Sequence, residues 1–480
     1  MTLDSLNLLP ILPEIVLAAM ACFILVLDPF LPDSRRDISY GLAQASLLLA
    51  LFFSLMGADD VVRLSFNGMV VNDAMGDVMK AFVLIVSLAV FLLARGYLKA
   101  RGLYKGEFFM LGLFGVLGML IMISSNHLLL IFLGLELMSL SMYAMVALDR
   151  DNARASEAAM KYFVLGALAS GLLLYGMSLL YGMTGSLYLA DIGQNLSTNG
   201  SESPVLAVAL VFILVGLTFK LGAAPFHMWL PDVYDGAPTA VTLYLAAAPK
   251  IAGVAIVLRL LVEGMGAMLS DWQPMLIVLA VISLFVGNVI AIAQTSFKRM
   301  LTYSTISHVG FILLGILAGT YEGYSAALFY TVAYAIMTIG GFGIIVYLAS
   351  KGHEADQLDD LKGLNDRSPL MAFVFLVIMF SMAGIPFTLG FWAKLAVLQA
   401  VVQVEMVTLA VYAVVMSVIG AFYYLRAVKM AYFDAPLNPS APVQALDLRT
   451  VMVGTGLIVL VLGLYPSALV SYCAAAFGLN

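Results

Sequence analysis

Charged residues are scarce in this sequence. Asp, Glu, Lys and Arg make up only 11% of the 480 residues, whereas apolar residues make up 63%. A soluble globular chain carries about a quarter charged residues, so this composition excludes a protein that folds mainly in water. The net charge of −6 says little about partners in a chain this apolar, and no nucleic-acid partner is expected.

Residues that commonly hold cofactors are rare as well. The chain has two cysteines and four histidines, and their spacing matches no metal-ligand pattern. It also has no Gly-rich phosphate loop and no Cys-x-x-Cys motif, which argues against bound nucleotide and iron–sulfur chemistry. We therefore expect no cofactor and no metal in this chain.

Long apolar runs are abundant, and many reach the 18 or more residues needed to cross a hydrocarbon core of about 30 Å. Their continuous apolarity favours helices, because strands of a membrane barrel would alternate in polarity over about ten residues. We predict an all-α polytopic membrane protein, a single membrane domain over 1–480. Its fourteen predicted spans are 8–27, 38–56, 74–94, 107–124, 127–147, 159–181, 205–224, 238–262, 274–294, 299–319, 325–349, 370–389, 404–431 and 450–470.

The polar stretches 182–204, 350–369 and 433–449 are interpreted as loops between spans. Most of the 23 Lys and Arg residues lie in or beside odd-numbered loops, whereas even-numbered loops hold only Arg63 and Arg259. Cytoplasmic loops are enriched in cations. The pattern therefore predicts odd-numbered loops in the cytoplasm and both termini on the external side.

Four charged residues lie deep inside apolar spans: Glu136, Lys220, Lys250 and Lys394. A charge at the bilayer centre costs at least ~3 kcal/mol on insertion scales, so such residues persist when they pair or line a wet path. The alternative is an ion pair that only locks helices together, or a lysine that reaches the interface. Glu14 lies near the end of its span, and the structural alternative is the interpretation we adopt for it.

Two spans contain similar breaks. The stretch LGAAPF at 221–226, with Pro225, resembles MAGIPF at 382–387, with Pro386, in the seventh and twelfth spans. A shift of five spans reverses direction through the membrane, which predicts inverted five-helix repeats over 105–262 and 270–432. The N-terminal helices then occupy 1–104, and a C-terminal helix occupies 433–480.

Proline removes a backbone donor, and the freed carbonyls at membrane depth need water or polar neighbours. Lys220 precedes one break and Lys394 follows the other, which indicates lysines placed where a helix opens onto water. We predict that Glu136 is the partner of Lys220, and that Lys250 relays a proton toward Lys394. His308, in TYSTISHVGF, bridges this path or is merely hydrogen-bonded.

Several of these motifs together carry a family resemblance over nearly the whole chain. They are GAAPFHMWLPDVYDGAPT followed by AAAPK, LGLELMSLSMYAMVALDR, YSTISHVG and AGIPFTLGFWAK. The chain resembles the antiporter-like membrane subunits of NADH–quinone oxidoreductase (respiratory complex I), and within them the subunit N family. By this resemblance Glu136 and Lys220 match the central pair of the family, Lys250 its connecting residue, and Lys394 its exit-side lysine.

The resemblance implies proton translocation across the bacterial cytoplasmic membrane, coupled to quinone reduction elsewhere in a complex. NAD, FMN, iron–sulfur clusters and quinone are then expected in other subunits. The implied partners are other membrane-arm subunits, including antiporter-like siblings and a lateral helix, together with protons and membrane lipids. Two alternatives remain open: a subunit of a multisubunit cation/proton antiporter, and a scaffolding membrane subunit whose charge pairs only fix packing.

Overall fold

The structure is a computed structural model that describes residues 7–58, 61–350, 353–436 and 446–479. Part of the predicted loop 433–449, residues 437–445, lies outside this description. In the described chain, one short hairpin, β1 (Arg63–Ser65) and β2 (Val70–Asn72), accompanies the helices. The α-helices are α1 (Leu12–Leu27), α2 (Asp37–Gly57), α3 (Ala74–Arg101), α4 (Gly106–Ile123), α5 (Leu128–Val146), α6 (Ala153–Thr184), α7 (Leu189–Asn199), α8 (Pro204–Leu221), α9 (Trp229–Gly236), α10 (Thr239–Ala246), α11 (Ala248–Val257), α12 (Leu269–Ala293), α13 (Phe297–Leu317), α14 (Tyr321–Leu348), α15 (Leu364–Arg367), α16 (Pro369–Ala383), α17 (Leu389–Gln403), α18 (Val407–Phe433), α19 (Leu446–Leu464) and α20 (Ser467–Ala475).

Within the described residues, thirteen helical segments are long and apolar enough to cross a membrane. The all-α membrane fold is therefore confirmed. The remaining predicted span, 370–389, contains the shorter helix α16 and ends at the first residue of α17. Because α17 follows the break, this crossing continues to Gln403. The seventh crossing likewise extends past its predicted end at residue 224, because α9 follows the break.

The eighth crossing is interrupted, although the sequence predicted one continuous span over 238–262. Its helices α10 and α11 meet at Ala247, whose ψ of −82° departs from helical geometry. A π-helix, Leu258–Gly264, completes the crossing. The first predicted repeat thus contains a second interruption, and the sequence reading of one broken helix per repeat was incomplete.

The predicted loop 182–204 also contains structure, because α7 occupies about half of it. Its polar Asn, Ser and Gly content suggested a loop, but Leu189, Ile192 and Leu196 recur at helical spacing and are buried. A short amphipathic helix therefore covers the end of the bundle at this point.

The centre of the bundle is formed by α13 and α14, whose most apolar windows are each 94% buried, against 33% for α18. Helices at the periphery, such as α2, α6 and α18, expose apolar side chains on their outer faces, as expected of surfaces that meet lipid. His308 on α13 and Lys250 on α11 therefore lie near the middle of the protein.

Two helix hairpins, α4–α5 and α12–α13, have a close approach in common. A Cβ added at Gly118 would lie 2.5 Å from the carbonyl oxygen of Gly134, and one added at Gly287 would lie 2.5 Å from the backbone nitrogen of Ser307. Only glycine permits this contact between helix backbones, which is a common device in membrane helix packing. The two hairpins occupy corresponding places in the two predicted repeats.

The bundle has two distinct ends. At one of them, the cation-rich end, Arg101 contacts the segment after α14, Arg154 contacts the last turn of α9, and Lys298 contacts the residue after α9. The opposite end carries the β1–β2 hairpin and α7, which are joined to the start of α5 by backbone bridges. These two ends are the references for the site below.

Candidate functional site at two broken helices

Helices α8 and α16 both end on a left-handed glycine, before the proline that follows. Gly222 has a φ of 79° and Gly384 a φ of 86°. In each case the N–H of the residue after the glycine bonds to the carbonyl five residues back, that of Thr218 or Phe380, and the glycine N–H bonds to the next carbonyl, that of Phe219 or Ser381, all at 2.9–3.0 Å. This pattern is the Schellman termination, which glycine favours. The breaks at Pro225 and Pro386 therefore begin at these glycines, which the sequence reading did not identify.

A buried lysine binds the carbonyl that each proline leaves without its helical donor. Four residues before Pro225, the Leu221 carbonyl oxygen accepts a hydrogen bond of 2.6 Å from Lys250 Nζ. Four residues before Pro386, the Met382 carbonyl oxygen accepts one of 3.2 Å from Lys394 Nζ. A buried carbonyl without a donor is destabilising, and a cation also suits the negative end of a helix.

Lys394 has two further partners. Its Nζ lies 2.9 Å from the Ala383 carbonyl oxygen and 2.8 Å from Ser417 Oγ on α18. The same nitrogen is 5.2 Å from the centre of the Phe311 ring on α13. Lys394 thus links both halves of the broken crossing to two neighbouring helices.

The interruption of the eighth crossing follows the same rule with a different donor. Pro249 lacks the N–H that would bond to the Leu245 carbonyl, and the hydroxyl of Tyr234 on α9 donates to that oxygen at 3.2 Å. Proline, rather than local flexibility, therefore accounts for the interruption.

Lys220, in the last turn of α8, contacts hydroxyl groups of α5. Its Nζ lies 2.8 Å from Ser139 Oγ and 3.3 Å from Tyr143 Oη. Within the described residues no ion pair joins Lys220 to a carboxylate, so Glu136, its predicted partner, does not contact it directly. Glu136 precedes Ser139 by one helical turn and attracts Lys220 through space, and its Oε1 is buried without a hydrogen-bond donor.

His308 lies among hydroxyl groups from three helices. Its Nδ1 is 2.8 Å from Tyr330 Oη on α14, and its Nε2 is 3.1 Å from Tyr424 Oη on α18. Tyr424 is also hydrogen-bonded to Ser304, and the Lys394 charge acts on the imidazole. The structure therefore groups His308 with Lys394.

The five predicted site residues fall into two groups. Lys220 and Lys250 meet at the end of α8, with Glu136 beside Lys220. His308 and Lys394 form the second group, between α13, α17 and α18. In the described structure Lys250 and His308 have no hydrogen-bond partner in common, so no single side chain bridges the two groups.

Sequence reasoning missed the hydroxyl partners, although their spacing carried a signal. Glu136, Ser139 and Tyr143 follow one another at intervals of three and four, which places them on one face of α5. Ser417 and Tyr424 are seven apart, and so they lie on one face of α18. The sequence reading weighed charges and left these uncharged groups aside.

Two buried cations, Lys80 and Arg259, were not recognised from the sequence. Glu14 and Lys80 form an ion pair of 2.8 Å whose side chains are 9% and 1% exposed. Arg259, which was counted with a loop, is 1% exposed and pairs with Asp73 at 2.6 Å. The described residues contain no group of three or more His, Cys, Asp or Glu side chains that could hold a metal ion.

Helices broken at membrane depth, each with a buried lysine at the broken end, define the class of antiporter-like membrane subunits. A family model described as "NADH:quinone oxidoreductase/Mrp antiporter, TM" matches residues 125–420. The "NADH-quinone oxidoreductase subunit N" of Thioalkalivibrio sulfidiphilus is 59% identical over 477 residues, which cover 99% of either chain. The chain belongs to the NADH-quinone oxidoreductase subunit N family.

Solved structures agree with this placement. A chain of respiratory complex I from Thermus thermophilus is 32% identical, with a TM-score of 0.82 over 96% of this chain and 99% of that one. A chain of the Mrp complex from Dietzia has a TM-score of 0.85 at 21% identity, over 99% of this chain and 97% of that one. The second likeness shows a common fold alone.

Proposed function

We propose that this chain translocates protons as a membrane subunit of NADH-quinone oxidoreductase, through Glu136, Lys220, Lys250, His308 and Lys394. The observation that carries the proposal is the placement of lysines at the broken ends of α8 and α16. Quinone reduction in other subunits supplies the energy. NAD, FMN, iron–sulfur clusters and quinone belong to those subunits, and antiporter-like siblings and a lateral helix are the neighbours in the membrane.

The contacts of the lysines suit a group that alternates between two protonation states. A charged ammonium donates three hydrogen bonds and accepts none. Once neutral, the amine still donates two and accepts one, and a hydroxyl such as Ser417 Oγ can turn to donate to it. Lys220 likewise meets the hydroxyls of Ser139 and Tyr143. Proton release would therefore leave no buried carbonyl without a donor.

Small movements would be enough to shift these protons. At an effective dielectric constant of about 20, withdrawing an opposite charge from about 4 to about 8 Å removes roughly 2 kcal/mol of attraction. That difference corresponds to roughly 1.5 pKa units. A modest displacement of α5, which carries Glu136, would therefore change the proton affinity of Lys220.

The two breaks lead toward opposite ends of the bundle. Helix α9 runs from the first break to the cation-rich end, beside a polar cavity of about 140 Å³ lined by Arg154, Asp235 and Glu354. Helix α17 runs from the second break to the opposite end, where Gln399 and Gln403 line a cavity of about 220 Å³. We assign uptake to the first route and release to the second.

This direction assumes that the cation-rich end faces the cytoplasm and that both termini are external, as the positive-inside bias favours. Reporter fusions after residue 102 should then read cytoplasmic, and fusions after residue 197 should read external. The reverse pattern would reverse the proposed direction.

A cation/proton antiporter is the second candidate, and the fold likeness to the Mrp chain is the observation in its favour. The match to subunit N over the full chain favours the first reading. Sodium-dependent pumping in membranes that lack quinone turnover would support the antiporter reading.

The test of the proton path is Lys220→Arg. Arginine keeps the charge but does not release its proton in proteins. We expect the variant to assemble, judged on native gels, and to lose most quinone-coupled proton pumping in vesicles. Lys220→Ala should behave similarly, provided that Glu136 takes up a proton.

The control is Lys429→Arg, which makes the same exchange at an exposed lysine of α18. This variant should assemble and pump normally. A well-assembled Lys220→Arg complex that pumps at the full rate would overturn the titrating-lysine mechanism. If alanine instead prevents assembly while arginine is silent, the lysine has only a structural role.

A further inference from the structure

Helix α6 carries no residue of the proposed proton path, but it packs against the first break. The ring of Tyr162, a residue 4% exposed, stacks on the ring of Trp229 in α9, with centroids 4.6 Å apart and 11° between the planes. The same ring meets Tyr143 of α5 edge-on, at 4.5 Å and 90°. Because Tyr143 contacts Lys220 and Trp229 lies near Lys250, Tyr162 stands between the surroundings of the two lysines.

One turn after Tyr162, the missing side chain of Gly166 leaves a notch that holds the Tyr143 hydroxyl. A Cβ added at Gly166 would lie 1.9 Å from Tyr143 Oη and 2.7 Å from Tyr143 Cζ. Phe163 contacts the same ring edge-on at 5.7 Å, so two aromatic side chains of α6 restrict where the ring can move. We call Tyr162, Phe163 and Gly166 the α6 seat.

The notch serves a side chain rather than the packing of two helix backbones. At Gly176, farther along α6, an added Cβ would lie 2.8 Å from the Ala209 carbonyl oxygen of α8, which is a backbone contact. At Gly166, by contrast, the three nearest atoms all belong to the Tyr143 side chain. The position of the Tyr143 hydroxyl therefore depends on glycine at residue 166.

The seated hydroxyl binds the end of Lys220. Lys220 Nζ donates to Tyr143 Oη at 3.3 Å and to Ser139 Oγ at 2.8 Å. The nitrogen also lies 5.7 Å from the centre of the Tyr143 ring. The α6 seat thus fixes one of the two hydroxyl groups that hold this lysine.

These two hydroxyl groups are not equivalent. Ser139 Oγ donates its single hydrogen to the Leu135 carbonyl oxygen at 2.6 Å, so it can accept from Lys220 but has no hydrogen left to give it. The Tyr143 hydroxyl interacts with Ser139 rather than with a backbone carbonyl among the described residues. A neutral amine accepts one hydrogen bond, and Tyr143 is the neighbour that can turn its O–H toward it.

We propose that Tyr143 is a further positioning residue of the proton path, held against Lys220 by the α6 seat. While Lys220 carries its proton, Nζ donates to Tyr143 Oη. After that proton has moved along the path, the tyrosine O–H rotates about its C–O bond and donates to the neutral nitrogen. Tyr143 keeps its own proton throughout, so none of its covalent bonds forms or breaks. The inference rests on the proposed function, in which Lys220 alternates between the two states.

The test begins with Tyr143→Phe and Gly166→Ala in the assembled complex. The alanine Cβ must displace Tyr143 Oη by at least about 1 Å, because Cβ contacts shorter than 3.0 Å essentially never occur. At 3.3 Å the bond to Lys220 is already at the long limit, so we expect it to break. Both variants should assemble on native gels and pump about tenfold more slowly, the factor for one hydrogen bond to a charged group. The KM for quinone should not change.

The double variant Gly166→Ala/Tyr143→Phe separates positioning from general packing. The phenylalanine ring keeps the carbon that lies 2.7 Å from the new Cβ, so a packing defect would persist although the hydroxyl is gone. Positioning predicts that the double variant pumps as fast as Tyr143→Phe alone. A further loss, of the size that Gly166→Ala causes by itself, would overturn the proposal.

Two substitutions elsewhere on α6 are the controls. Gly171→Ala adds a Cβ that has no neighbour within 4 Å, and Tyr175→Phe removes a hydroxyl from a residue that is 54% exposed. Both should assemble and pump normally. If either slows pumping as much as the change at the α6 seat does, the seat has no special role.

The outcomes distinguish this inference from the proposed function. If Lys220→Arg loses pumping while Tyr143→Phe and Gly166→Ala pump at the full rate, the inference is wrong and the proposed function stands. If Lys220→Arg pumps fully, the proposed function fails, and with it the alternating role of Tyr143. The structure of the Gly166→Ala complex by electron cryomicroscopy tests the α6 seat by itself, and an unchanged contact between Tyr143 and Lys220 would contradict it. If Gly166→Ala does not assemble, Tyr143→Phe decides the question.

Discussion

The two broken crossings, α8–α9 and α16–α17, have the same backbone design but different electrostatic surroundings. In both, a left-handed glycine ends the first helix, and a lysine binds the carbonyl four residues before the proline. Lys250 reaches its carbonyl from the next crossing, whereas Lys394 belongs to the second half of the same crossing. A lysine can therefore bind the freed carbonyl whether it belongs to the same crossing or to the next one.

The side chains around the breaks differ more. The first break has a second lysine, Lys220, in the field of the carboxylate Glu136. At the second break the neighbour is His308, held by two tyrosine hydroxyls rather than by a carboxylate. The first region can therefore change its charge balance when Glu136 moves relative to Lys220, whereas the second offers a hydroxyl network for passing a proton on.

The largest expected effect is a difference in stability between variants of Lys394 and Lys250, the two lysines that bind the carbonyls at the breaks. Lys394→Met leaves two carbonyl oxygens without a donor, whereas Lys250→Met leaves one. Each unpaired buried acceptor destabilises by about 1–3 kcal/mol, so Lys394→Met should be the less stable variant by about that amount. Both variants should lose pumping. Thermal dissociation of the purified complex measures the first difference, and equal stability of the two variants would contradict the capping role.

The second-largest effect is expected from substitution of the two glycines that end α8 and α16. Alanine at Gly222 or Gly384 must adopt a positive φ, which costs roughly 1–2 kcal/mol. The new Cβ would lie 2.1 Å from Leu230 Cδ1 in the first case and 2.9 Å from Lys394 Cδ in the second. We expect Gly222→Ala to reduce assembly and Gly384→Ala to reduce pumping per assembled complex.

Gly171→Ala in α6 is the matched control, because a Cβ there has no neighbour within 4 Å. It should resemble the natural protein in both measurements, native-gel yield and pumping. Identical behaviour of all three glycine variants would mean that neither break depends on its glycine.

The smallest effect comes from the tryptophan that follows each break. Trp229 Nε1 donates to the Phe219 carbonyl oxygen at the end of α8, whereas Trp392 Nε1 donates to Gly463 on α19. Loss of one such bond costs about 1 kcal/mol. The Trp229 ring also lies 5.9 Å from Lys250 Nζ, so loss of this bond would disturb the position of that lysine. We therefore expect Trp229→Phe to slow pumping. Trp392→Phe should mainly loosen α19.

Trp272→Phe removes a comparable bond, to the Met265 carbonyl oxygen, outside both breaks. It should lower the thermal stability slightly and leave pumping unchanged. If it slows pumping as much as Trp229→Phe does, the contact of Trp229 with the first break has no special role.

Much of the fold could be predicted, but its irregular parts could not. Continuous apolar runs predicted most crossings, because helix formation in lipid depends on local composition. The sequence missed α17 as part of the twelfth crossing and the interruption at Ala247. A helix can be interrupted only where its unpaired backbone carbonyls find other donors. At Ala247 that donor is the hydroxyl of Tyr234, which comes from another helix and bonds to the Leu245 carbonyl oxygen.

The sequence by itself determined the class of protein and identified four charges inside apolar spans, Glu136, Lys220, Lys250 and Lys394, since the energetic penalty for placing a charge in an apolar span is a local property. Only the tertiary structure decided their partners. Lys220 meets hydroxyls of α5 rather than a carboxylate, and Glu14, which looked peripheral, pairs with Lys80 in the interior. The physical reason is that a hydrogen bond depends on distances of about 3 Å between atoms far apart in the chain, which packing alone determines.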